Sequence, residues 1–69
     1  MDYVIEIGTE YYPIGKKQRV KHVVVDIWRT YNSANELVRL SYVTEHEFCG
    51  QTIREYDVRE ITIKRGMHR

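Results

Sequence analysis

Apolar and polar positions alternate most regularly between residues 20 and 48, VKHVVVDIWRTYNSANELVRLSYVTEHEF, which predicts two long β-strands joined at residues 31–35. In the first of these strands Val23, Val25, Ile27 and Tyr31 share a face, interrupted by Arg29, while Val24 and Trp28 fall on the other. In the second, Val38, Leu40, Tyr42, Thr44, His46 and Phe48 oppose Arg39, Ser41, Glu45 and Glu47, the clean alternation of a half-buried antiparallel strand. The joining segment Asn32-Ser33-Ala34-Asn35 contains no glycine, so a four-residue loop is expected, with Asn32 or Asn35 in the left-handed region that asparagine tolerates. Residues 34–41 offer a competing pattern, a short helix with Leu37, Val38, Leu40 and Ser41 on one side. Continuation through Tyr42-Val43-Thr44 fits a strand better.

Outside this hairpin the pattern is shorter. Tyr3, Ile5 and Ile7 predict a first strand ended by Gly8, with residues 9–12 extending it after a bend and Pro13-Ile14-Gly15 forming a turn. Cys49-Gly50 breaks the long second strand of the hairpin, residues 52–56 make a fourth strand, Asp57-Val58 a tight connection or single helical turn, and residues 61–64 a fifth strand. No segment sustains a 3.6-residue period, and β-branched and aromatic residues are frequent throughout. The expectation is an all-β domain over residues 1–64, a small five-stranded barrel or strongly bent antiparallel sheet, followed by a flexible basic tail at 65–69. Closure removes exposed strand edges that so short a chain has little material to cover.

Composition narrows the function classes. A chain of 69 residues buries only about 60% of the surface its unfolded form exposes. Its core alone supplies roughly 3–5 kcal/mol, which makes a homodimer or unusually good aromatic packing the expected source of further stability. The lone Cys49 has no partner for an internal disulfide and no signal-peptide pattern precedes the first strand, so a reducing cytoplasm is expected. No apolar run is long enough to span a bilayer, so no membrane association is expected.

With 11 Lys and Arg against 10 Asp and Glu, the net charge of +1 does not suit a dedicated nucleic-acid coater. Charge is nevertheless clustered. Lys16, Lys17, Arg19 and Lys21 make a basic loop ending at His22, and Glu45, Glu47, Glu55, Asp57 and Glu60 make an acidic region.

Candidate chemistry is sparse. His46 and Cys49 stand three apart, but one cysteine without a second ligand pair falls short of a structural zinc site, so neither metal nor cofactor is expected. The same pair, with Glu45 or Glu47 as orienting group, has the residue types of a thiol nucleophile and its base. A barrel this small has no evident pocket to exclude water, so no enzymatic activity is expected. The basic loop, with Tyr11, Tyr12 and Trp28 for stacking, supports a nucleic-acid interface using Lys16, Lys17, Arg19, Lys21 and Tyr12. Six Tyr with Trp28 and Phe48 exceed what a core of this size hides, so Val24, Trp28 and Arg29, together with the acidic Glu45 and Glu47, are expected to form a protein-binding surface.

Two resemblances bear on this. Ile7-Gly8-Thr9-Glu10-Tyr11, the basic loop, Val23-Val24-Val25-Asp26-Ile27, the hairpin, residues 37–42 and the late Asp57-Val58 resemble SH3-like barrels of the KOW type, although Lys21-His22 stand where that motif usually carries glycine. Residues 26–32, Glu36-Leu37-Val38, Tyr42-Val43, His46-Glu47-Phe48, Gly50-Gln51, Asp57-Val58 and Thr62-Ile63 resemble small uncharacterised proteins encoded by bacteriophages and prophages. The second resemblance implies a phage accessory protein that docks on a host or phage protein, for example an inhibitor of a host defence complex such as an anti-CRISPR, acting in the host cytoplasm.

Overall fold

The computed structural model describes residues 4–15 and 20–67. These form β1 (Glu10–Tyr11), β2 (His22–Tyr31), β3 (Leu37–Phe48), β4 (Gln51–Val58) and α1 (Glu60–Met67). The four strands make one antiparallel sheet in the order β1-β2-β3-β4, open rather than closed into a barrel.

The two strands and the turn of the central hairpin form where the pattern predicts, although the facing of several side chains differs. Asn32 organises the loop: its Oδ1 accepts from the Ala34 and Glu36 amides at 2.9 and 3.0 Å, and its Nδ2 donates to Glu36 Oε1 at 3.1 Å. Asn35 takes the left-handed turn position with φ 65°. Asn32→Ala removes all three side-chain bonds from an exposed loop, where each is worth little net. The expected loss is about 1–2 kcal/mol in urea unfolding, with an unchanged m-value. Cys49 and Gly50, with φ 54° and 76°, close the β3–β4 hairpin between the paired residues Phe48 and Gln51 in a two-residue turn whose twist suits the strands.

Three irregularities interrupt the period of two. Val24 pairs with Thr44 and Asp26 with Val43, so Val25 is an extra residue in β2. Thr44 pairs with Glu55 and Tyr42 with Val58, so β4 also carries one extra residue, where Asp57 adopts φ 60°. A third bulge lies near the hairpin tip, between the pairs Thr30↔Arg39 and Tyr31↔Leu37. A bulge returns residues three apart to the same face. Val24 and Ile27 therefore both oppose the inward row Tyr42 and Thr44, and Glu55 and Val58 do the same from the other side.

The core lies on this inner face: Tyr11, Val24, Tyr42 and Ile63 are buried, with Ile5, Ile27, Leu40, Val58 and Met67 packed against them. The Tyr11 hydroxyl donates to Thr44 Oγ1 at 3.1 Å, which satisfies a buried polar pair. Desolvation pushes the pKa of Tyr11 up, opposed by the Thr44 hydrogen bond and assisted by the charge of Glu55.

The helix replaces the expected fifth strand. Ile61, Thr62 and Ile63 alternate as strand residues do, but Ile63, Gly66 and Met67 recur at helical spacing and only that stripe turns inward. Local charge favours the same outcome: Glu60 lies in the first turn, Lys64 and Arg65 in the last, and Lys64 Nζ stands 3.7 Å from Glu60 Oε1 one turn away. The helix lies close on the β1 end, where the Tyr12 amide donates to the Gly66 carbonyl at 3.0 Å. Arg65 to Met67, expected in a flexible tail, are thus part of the packed helix. His68 and Arg69 lie outside the described residues.

The N-terminal segment is a turn where a strand was expected. Thr9 N donates to Glu6 O and Glu6 N to Thr9 Oγ1, while Gly8 N and Thr9 O bond the two backbone groups of Val24. Pairing as strand begins only at Glu10. Tyr3 lies outside the described residues.

Candidate functional site

The two faces of the sheet carry different chemistry. On the outer face Trp28 pairs with Ser41, and Tyr56 faces the same way from β4. Their ring centroids are 6.0 Å apart with a tilt of 41°. Strands β2 and β4 flank β3 at about 4.8 Å each, so the two rings lean toward one another across β3. This lean accounts for Val43 and Ser41 being buried on a face that α1 does not cover. Both rings remain open above, Trp28 at 48% exposure and Tyr56 at 58%. Trp28 is held by its neighbour: Nε1 donates to Asp26 Oδ2 at 2.8 Å, while Asp26 Oδ1 accepts from the Ile27 amide at 2.8 Å.

Two ion pairs border the rings. Arg39 donates to both carboxylate oxygens of Asp57, and Arg54 Nε donates to Glu45 Oε2 at 2.8 Å. Each guanidinium is raised above its ordinary pKa: Arg39 first by its hydrogen bonds to Asp57 and then by that carboxylate's charge, Arg54 first by its hydrogen bond to Glu45, next by one to Tyr56, and then by the charges of Glu45 and Tyr56. Beyond Glu45 the outer face opens into a groove of about 560 Å³ lined by Val23, Val25, Glu45, Glu47 and Thr52 among others.

The residues expected to bind protein are therefore only partly brought together. Trp28, Glu45 and Glu47 share the outer face. Val24 does not: it is wholly buried, because the extra residue at Val25 turns it inward with Ile27. Arg29 pairs with Leu40 on the inner side, near enough to Tyr42 for its charge to counter that residue's raised pKa, which burial and then Glu60 produce. Residues 29–39 are exposed throughout, so Tyr31 and Val38, expected inward, lie beyond the core.

No family model, curated protein or solved structure matches this chain.

Of the basic loop, Lys16, Lys17 and Arg19 lie outside the described residues. Lys21 is exposed and ion-paired with Glu10 at 3.4 Å. Tyr12 is half-buried and tied through its amide to α1. No described helix is long and apolar enough to cross a membrane.

The His46 and Cys49 pairing does not form. Cys49 is exposed in the β3–β4 turn, whereas His46 continues the inward row of Tyr42 and Thr44. Instead His46 meets His22 and Glu55 from the flanking strands, a group that spacing along the chain does not reveal. The one signal available to the sequence was parity, since His46 lies two residues beyond Thr44 and His22 two before Val24. Using it required the register.

Proposed function

We propose that this chain is a non-enzymatic binding protein that docks on a protein partner through the outer face around Trp28 and Tyr56, with Glu45 and Glu47 beside them. The observation that carries this reading is a pair of half-exposed aromatic rings on a sheet face, bordered by arginine ion pairs and an apolar-floored groove. Trp, Tyr and Arg are the residue types in which binding energy concentrates at interfaces. The separation of Cys49 from His46 supports binding over thiol chemistry. The resemblance to small phage-encoded proteins makes a host or phage protein the first partner class to try, including a defence complex of the kind an anti-CRISPR inhibits.

Trp28→Ala is the test. Trp28 is about half buried, so its truncation should cost about 1–2 kcal/mol and leave a folded chain, as circular dichroism and urea unfolding would show. Partner capture from host lysate should fall at least tenfold in Trp28→Ala and in Tyr56→Ala, and should tolerate raised salt. A steep loss of binding with salt that both variants share with the parent chain would favour the nucleic-acid interface instead. Unfolding of Trp28→Ala would make the ring structural and end the interface reading.

A further inference from the structure

We infer that His22, His46 and Glu55 form a binding site for a divalent transition metal of the zinc class. The three side chains come from β2, β3 and β4. His22 lies one step beyond the Val23↔Glu45 pair and so stands opposite His46, and Glu55 sits across from Thr44, next inward residue to His46. One ligand atom from each falls within 4.8 Å of the others. Three adjacent strands supply them, so the sheet itself fixes their spacing.

His22 is oriented as a metal-ligating histidine is. Its Nδ1 lies 2.8 Å from the Val20 carbonyl, an acceptor, so Nδ1 carries the proton and Nε2 is the nitrogen directed at Glu55. His22 is 4% exposed, and its ring is also held against Tyr11 at 5.3 Å. Nε2 stands 3.6 Å from Glu55 Oε1. A zinc ion bonded at about 2.0–2.1 Å to each atom would subtend an angle of about 120° across that gap, within the range of a distorted tetrahedral site.

His46 supplies the second observation. Its Nδ1 is buried and has no hydrogen-bond partner among the described residues, a condition that is costly for a polar atom. The two imidazoles are stacked at 4.0 Å with 21° between planes. A shared ion requires the partly buried His46 ring to turn out of this stack, so that one ring nitrogen points at the gap between His22 and Glu55. Two imidazoles and one carboxylate suit zinc, and the cobalt that substitutes for it, over calcium or magnesium, which favour oxygen ligands. Three protein ligands leave the fourth position to water.

Zinc titration into the intact chain, followed by calorimetry and thermal unfolding, tests the assignment. One equivalent should bind, and free zinc at ten times the dissociation constant should raise Tm by about 6–11 °C. Cobalt should give visible d–d absorption of tetrahedral intensity. Affinity should fall at least tenfold in Glu55→Gln and in His46→Gln and stay unchanged in Cys49→Ser. On the parent chain, zinc should shift the ring 15N resonances of His22 and His46, a readout independent of whether the variants fold. Absence of any thermal shift or cobalt band at millimolar metal overturns the site. So does affinity that survives both ligand substitutions, which would place the metal elsewhere on the chain.

Discussion

Ile63→Ala is expected to cost about 2–5 kcal/mol, comparable to the whole margin of a domain this small, and so to leave much of the population unfolded at 25 °C. Ile63 is fully buried against Tyr11, Val24 and Tyr42 in the apolar layer that α1 shares with the sheet. Ile61, two residues earlier and 55% exposed, should give less than about 0.5 kcal/mol when truncated in the same way. The contrast tests the fold as well as the contact. In a fifth strand, residues 61 and 63 would share a face and respond alike, whereas on a helix they point roughly 200° apart. Urea unfolding of the two variants, monitored by circular dichroism, distinguishes these arrangements.

Gly66→Ala should also destabilise, against the usual direction for glycine within a helix, where alanine gains about 0.5–1 kcal/mol. A Cβ at position 66 would lie 2.6 Å from the Tyr12 carbonyl oxygen and 2.9 Å from Tyr11 Cδ2 and from the Tyr12 carbonyl carbon. Two of these contacts are backbone, so the helix must move as a body. Moving it strains the Tyr12 to Gly66 hydrogen bond and withdraws Ile63 and Met67 from the core. The expected net loss is about 1–3 kcal/mol. Faster amide exchange at Tyr12, alongside a lower Tm, would locate the damage at the helix–β1 contact, while a raised Tm would show that the approach is looser than described.

The long hairpin, a turn with Asn32 or Asn35 in the left-handed region, and the break at Cys49-Gly50 were legible in the sequence because each rests on local rules; the structure selects Asn35. The inward row of β3 was legible too, since Leu40, Tyr42, Thr44 and His46 alternate without interruption. On β2 the same reasoning failed at a single residue: without the extra Val25, Val24 and Trp28 would share a face, and with it one is core and the other surface. Helix α1 was hidden for a different reason. Ile61-Thr62-Ile63 has strand propensity, and the close fit of Gly66 and Ile63 against β1, together with the charges at the two ends of the helix, overrides it. His22, His46 and Glu55 are separated by 24 and 9 positions, so nothing short of the register of three strands could join them.

The extra residues at Val25 and beside Asp57 give the sheet a grammar of even and odd beats. Each is a syncopation, after which the residues that had been speaking to water address the interior. They flank Val43 on opposite sides, so the two shifts fall in step and the three strands stay in phase across the sheet. A chain written this way can change the letters at its exposed positions without changing its meaning, whereas a single letter dropped at Val25 or beside Asp57 would exchange the audiences of everything between that point and the next turn.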